Sequence, residues 1–145
     1  MTEKATQPTA AEDVDLDQFE DLTVSTIVIK NPLTGAPTTN TISIAGPEHP
    51  ARKKAMLDRS RKLRAEAQRT GRQLVTDPLE DIDVETDLMV AFTLGWSLKI
   101  GGSAVAYSVE AARTLYCDPK RQWLRAQVKR AIDETDRFIG SSQTA

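Results

Sequence analysis

Residues 92–139 read FTLGWSLKIGGSAVAYSVEAARTLYCDPKRQWLRAQVKRAIDETDRFI, and this stretch decides the fold. Only 5% of the chain is aromatic, yet the stretch holds both tryptophans, both tyrosines and two of the three phenylalanines. That concentration locates the core. Gly101-Gly102, between Ile100 and Val105, predicts a small hairpin or reverse turn. Ser108 predicts the cap of a short helix over Val109 to Tyr116. Asp118-Pro119 predicts a break, with Pro119 in the first turn of a last helix running to about Ile139. The apolar face of that helix is Leu124, Val128, Ala131, Ile132, Thr135, Phe138 and Ile139, with Trp123 at its flank.

Upstream, Val84, Leu88, Ala91, Phe92 and Gly95 follow the helical period, so a helix is expected from about Asp81 to Gly95. Trp96 extends its face four residues beyond Phe92. Residues 71–80 read as a linker. Before it, a helix is expected from Pro50, suited to a first turn, to Gly71, suited to a stop. Its apolar content is thin, and Lys54–Asp58, Asp58–Lys62 and Lys62–Glu66 are expected to form a chain of i,i+4 charge pairs. Residues 22–30 and 38–45 carry Val24, Ile27, Val28, Ile29, Ile42 and Ile44. With the turn-rich NPLTGAP between them they predict a β-hairpin with a long loop. A lone hairpin is marginal in water and needs a covering layer.

The fold class is therefore α+β, an N-terminal β-hairpin followed by a mainly helical module. The expected segments are a disordered acidic tail (1–21), a hairpin plus basic helix (22–75), a helical module with a small turn or hairpin (76–140) and a disordered end (141–145). At 145 residues the chain is the size of one domain. Its 39% hydrophobic content and mean hydropathy of −0.40 are modest for a fully compact chain. Net charge is −2, so no global field favours nucleic acid or membrane. The charge is segregated. Met1 to Leu22 carries seven acids against Lys4, and Pro50 to Val75 carries nine bases against Asp58 and Glu66. Those two segments are expected to meet within one chain or between copies, which makes a homo-oligomer one of the expected partners. A single cysteine rules out an internal disulfide framework. No apolar run approaches a membrane span, and the acidic start has no signal pattern. A reducing cytoplasm is the expected compartment.

Candidate chemistry is sparse. His49 sits in a turn with no second histidine, which fits a structural or exposed role better than metal binding or acid–base work. Cys117 lies at a helix C-terminus beside Asp118, where a thiolate is disfavoured, and reads as a small, partly buried thiol. The acids from Asp77 to Asp87 lack the glycine and terminal glutamate of a calcium loop and read as N-terminal helix charges. The basic helix lacks aromatic interleaving, so a solvated face or a dock for an acidic segment is preferred to phosphate binding. Gly101-Gly102 lacks the spacing of a phosphate loop. No catalytic set, metal or cofactor is expected. An enzyme is the least favoured class.

Gly95-Trp96, the Gly-Gly turn, Tyr107-Ser108 with Glu110-Ala111-Ala112, Leu115-Tyr116, Asp118-Pro119, Trp123-Leu124, Gln127-Val128, Ala131-Ile132 and Phe138 together resemble the tail assembly chaperones of long-tailed bacteriophages. Pro32–Gly35 and Ile42–Pro50 resemble the strand, Gly-Pro turn and basic-helix opening of related phage proteins. The resemblance covers residues 23–140 and lies in the order of the pieces. The turn is Lys99-Ile100-Gly101-Gly102 where the family has an acidic turn, and Ala106-Tyr107 stands where the family has Pro-Phe. The resemblance implies a nonenzymatic protein of the host cytoplasm, absent from the finished virion. Such a protein binds the hydrophobic tape measure protein, keeps it soluble and recruits major tail tube protein subunits. The runner-up is a structural virion protein, a head–tail connector or minor tail component. Holding an amphipathic helical partner requires apolar side chains in a groove. The expected partner-binding residues are Phe92, Trp96, Tyr107, Tyr116, Trp123, Val128 and Ile132, with aromatic core packing as the alternative role.

Overall fold

The computed structural model describes residues 11–71 and 78–141, so the expected linker and both ends fall partly outside the described residues. The architecture is α+β. Strands β1 (Phe19–Asp21), β2 (Val24–Lys30) and β3 (Pro37–Ala45) come first, then helices α1 (Pro50–Thr70) and α2 (Pro78–Phe92). Strands β4 (Thr93–Ile100) and β5 (Ser103–Val105), helices α3 (Val109–Cys117) and α4 (Gln122–Asp133) and strand β6 (Ile139–Ser141) complete the chain. One antiparallel sheet has the order β2-β3-β4-β5, and a second pairs β1 with β6.

The expected hairpin is β2–β3. Ile27 lies opposite Ile42, and the two-residue period puts Ile27, Ile29, Ile42 and Ile44 on one buried face. Helices α2, α3 and α4 cover that face with Met89, Val90, Phe92, Ala112, Leu115, Tyr116, Leu124, Val128, Ala131 and Ile132. At Lys30 the outer edge of β2 is met by a side chain. Lys30 N–H donates to Gln127 Oε1 at 2.9 Å, and Gln127 Nε2 donates to Lys30 O at 2.9 Å. The amide thereby stands in for a neighbouring strand.

The helix expected from Asp81 to Gly95 ends earlier, at Phe92, and Trp96 lies on a strand. Thr93 and Gly95 are poor helix formers, and Trp96, Leu98 and Ile100 alternate at the strand period. Thr93 closes the helix end by donating its hydroxyl proton to Met89 O at 2.8 Å. Strand β4 then pairs with β3, Trp96 opposite Ile42, and with β5, Leu98 opposite Val105. The β4–β5 pair is the expected small hairpin, its turn made by Gly101 (φ +63°) and Gly102 (φ +84°). This sheet crosses the expected boundary at residue 75, so hairpin and helical module share one core.

The last helix is shorter than expected at both ends: Pro119 lies in a 3₁₀ turn, Pro119–Arg121, and α4 begins at Gln122. It stops at Asp133, where Asp133, Glu134 and Asp136 crowd acids onto a helix C-terminus, the unfavourable end of the dipole. A 3₁₀ turn, Thr135–Phe138, and β6 follow. Phe138 is buried, and Ile139 is exposed. Within the tails expected to lack order, Asp15 caps a short 3₁₀ turn, β1 pairs with β6, and Leu22 N–H donates to Phe138 O at 2.6 Å. A Cβ at Gly46 would lie 2.6 Å from Leu22 O and 2.8 Å from Phe138 Cδ1, so only glycine fits where this small sheet meets the hairpin.

Helix α1 is capped as expected. Its first turn takes Pro50, His49 Nδ1 accepts from Ala51 N–H at 3.0 Å, and Gly71 adopts a left-handed φ of +64°. Arg52 anchors it by donating to Ala45 O (3.2 Å) and Ile132 O (3.3 Å), with its guanidinium 4.8 Å from the Phe92 ring centre. From Met56 to Ala65 every residue is exposed. The expected Lys54–Asp58, Asp58–Lys62 and Lys62–Glu66 pairs do not form among the described residues, and Glu66 lies 3.9 Å from Arg69 instead.

Candidate functional site

Besides a larger, more polar hollow of about 530 Å³ that follows the turn from Asp133 to Arg137, one concave surface lies where β4 and β5 run past α3 without being fully covered. Trp96, Ile100 and Val105 form its floor, and Ala111, Thr114 and Leu115 of α3 form its wall. The open furrow measures about 350 Å³. Ile100, Leu115 and Arg121 also border an adjoining recess of about 80 Å³ that continues to Leu98, Leu124 and Trp123. The two together make one groove of mostly apolar lining, with Asn40, Lys99, Thr114 and Arg121 as polar members, Trp96 in the first recess and Trp123 in the second. Arg121, ion-paired with Asp118, stands at its rim.

Strand alternation builds the floor. Trp96, Leu98 and Ile100 share a sheet face with Val105, because directly opposed residues of an antiparallel pair point the same way. Trp96 is held rigidly. Its Nε1–H donates to Val105 O at 2.9 Å, and its ring meets Tyr107 edge-on at 5.1 Å. Tyr107 Oη donates to Thr93 O at 2.7 Å. Burial pushes the Tyr107 phenol above its ordinary value. The Ser108 side chain caps α3 by accepting from Ala111 N–H at 3.0 Å, which fixes where the wall begins.

The seven expected partner-binding residues divide. Phe92, Tyr116, Val128 and Ile132 are sealed in the core at 5%, 0%, 0% and 5% exposure and line neither recess. Tyr116 hydrogen-bonds to the Thr93 hydroxyl at 2.6 Å, and burial pushes its phenol up to about 12. Trp96 and Tyr107 are half-buried, and Trp123 is 40% exposed. Reasoning by residue type missed Ile100, Val105, Leu115 and Arg121. The strand period in Trp96-Ser97-Leu98-Lys99-Ile100 was the signal for the floor.

The other candidates are structural or exposed. His49 caps α1. Cys117 is exposed, not partly buried, because it falls on the outer side of the last turn of α3. Among the acids of 77–87, Asp77 lies outside the described residues. Glu85 pairs with Arg125 at 3.1 Å, and Asp87 pairs with Arg113 at 2.6 Å. Arg125 is buried and also donates to Thr86 Oγ1 at 2.7 Å and Tyr116 O at 3.3 Å, joining α2, α3 and α4. No cluster of three or more potential metal ligands occurs among the described residues. Among those residues no helix is long and apolar enough to cross a membrane. No family model, curated protein or solved structure matches the chain.

Proposed function

We propose that this chain is a nonenzymatic tail assembly chaperone of a long-tailed bacteriophage. It binds the tape measure protein in the host cytoplasm, keeps it soluble and gathers tail-tube subunits around it, and it does not remain in the virion. The observation that carries the reading is the Trp96–Trp123 groove. Its floor and wall are mostly apolar, and both tryptophans are held on regular elements. Such a surface suits the apolar face of an amphipathic helix, which offers side chains at i, i+3, i+4 and i+7. The family identity of the partner rests on the order of motifs from Gly95 to Phe138.

Co-expression with the tape measure protein tests this. The expected result is soluble tape measure protein that copurifies with the chain. Thr114→Arg, which places a long cation on the groove wall, and Trp123→Ala are each expected to lower that affinity about 30-fold or more, the usual effect of losing a hot spot. A tape measure protein that stays insoluble, or is held equally by both variants, defeats the reading. Peptides of the chain in purified particles would favour a structural virion component instead.

A further inference from the structure

Two exposed segments lie outside the groove, and they complement each other. The first is α1. It carries eight bases (Arg52, Lys53, Lys54, Arg59, Arg61, Lys62, Arg64 and Arg69) against Asp58 and Glu66. Met56 and Leu63 lie two turns apart on one face, with Arg59 between them, and Leu57 stands alongside. All three hydrophobic residues are exposed. A 21-residue helix that is exposed over ten consecutive residues is unusual in a small fold. Among the described residues, Lys54, Arg59, Arg61, Lys62 and Arg64 form no ion pair.

The second segment is residues 11–22 with the outer face of the β1–β6 sheet. It carries six acids (Glu12, Asp13, Asp15, Asp17, Glu20 and Asp21) and no base. Val14, Leu16 and Phe19 are exposed among them, Leu16 at 79%. The strand register places Asp21 opposite Ile139 and on the same face as Phe19, so an acid sits between two exposed apolar groups. This inverts the sign of the Met56–Arg59–Leu63 arrangement. No ion pair joins the two segments within the chain among the described residues.

We propose that α1 of one copy docks on the acidic segment and β1–β6 face of a second copy, giving a closed two-fold dimer. Both halves of the contact lie on one chain with matched charge and matched apolar positions, which a self-complementary interface requires. A two-fold axis uses the pair twice and leaves neither segment open. Ten helical residues cover about 15 Å. The two-fold axis makes this contact twice. Opposite charges align the encounter, and the interleaved apolar groups hold it. A nucleic acid is the lesser occupant, because it leaves Met56, Leu57 and Leu63 without an apolar counterpart.

Sedimentation equilibrium of the full chain tests the dimer. Twice the 16.0 kDa chain mass is expected at low salt. Raising salt to about 1 M, where the screening length falls to about 3 Å, is expected to weaken the dimer about tenfold or more. A triple variant Arg59→Glu, Arg61→Glu, Arg64→Glu is expected to be monomeric. So is a triple variant Asp13→Lys, Glu20→Lys, Asp21→Lys. An equimolar mixture of the two is expected to restore a dimer, because each reversed helix then meets a reversed acidic segment. All six positions are exposed, and circular dichroism checks that both variants fold. A wild-type monomer at every salt, a dimer indifferent to both reversals, or no rescue in the mixture overturns the proposal. Growth beyond two copies overturns the closed arrangement. A monomer whose α1 retains duplex DNA at low salt, and loses it on reversal, assigns the helix to nucleic acid instead. These variants leave Trp96 and Trp123 untouched, so this outcome and the fate of the groove reading are separable.

Discussion

Helices α4 and α1 share a chain and a helical backbone, yet they are held by different means. The shorter, α4, spans 12 residues and buries Leu124, Arg125, Val128, Ala131 and Ile132. The longer, α1, spans 21 residues and buries none of its residues from Pro50 to Arg69. Packing of an apolar face fixes α4 in place. Capping by His49 and Gly71, the Arg52 anchor and the partial burial of Ala55 hold α1 at its ends and first turns. Length of helix is thus a poor guide to contribution to the fold. The difference also separates two uses of surface, since the core side builds a groove and the outer helix offers charge.

The largest expected effect lies on the packed side. Ile42 is fully buried, opposite both Ile27 and Trp96. Ile42→Ala is expected to cost about 2–5 kcal/mol of unfolding free energy, from lost transfer energy and the cavity left behind. Urea denaturation measures it. A cost under about 1 kcal/mol would mean that the sheet and the three helices do not share one core.

Titration probes the same side. Tyr116 has its phenol raised from 10.0 to about 12 by burial. The folded chain therefore keeps this proton where the unfolded chain has lost it. Stability from this group is complete below pH 10 and declines as pH climbs towards 12, by about 2–3 kcal/mol in all. Denaturation midpoints at pH 8 and 11.5 should show the decline, and Tyr116→Phe should reduce it. An equal slope in both chains would place Tyr116 in solvent.

Much of this was legible in the sequence, and the exceptions have physical causes. The β2–β3 hairpin follows from isoleucines at period two. The limits of α1 follow from Pro50 and Gly71, and the start of α3 from Ser108. The α2–β4 boundary was hidden, because Phe92 and Trp96 are four apart and fit a helix, while Trp96, Leu98 and Ile100 fit a strand. Both periods overlap at one residue, and only pairing with Ile42 decides. The β1–β6 sheet was hidden because FED and IGS carry no strand pattern and their partners lie at opposite ends of the chain. For the groove, residue type selected the aromatic residues, while burial sorts them. Tyr116 lies inside with Val128, and Trp123 lies at the rim. Arg125 reads as a surface charge until its bonds to Thr86, Glu85 and the carbonyls of Tyr116 and Ile82 are seen.

The junction between the two regions gives an intermediate effect. Gly46 precedes the turn into α1 and lets the β1–β6 sheet approach the hairpin. Gly46→Ala forces a methyl group against Leu22 O and the Phe138 ring. The expected cost is about 1–3 kcal/mol, with backbone shifts at Leu22. Amide exchange at Leu22, whose N–H donates to Phe138 O, should accelerate more than exchange at Ile42. Uniform acceleration would show that the small sheet and the core open together as a single unit.

The smallest effect is expected on α1, and there the comparison becomes quantitative. Leu63 is 38% exposed. Leu63→Ser should change the stability of a monomer by no more than about 0.5 kcal/mol, as for surface positions away from caps and networks. If α1 docks on a second copy, the same substitution removes an apolar contact and lowers stability more as protein concentration rises, because association stabilises by mass action. Measuring the midpoint at two concentrations about 100-fold apart separates the cases. A small and concentration-independent change assigns Leu63 to solvent. A change that grows with concentration shows that the helix with no buried residue of its own acquires a buried face from its neighbour.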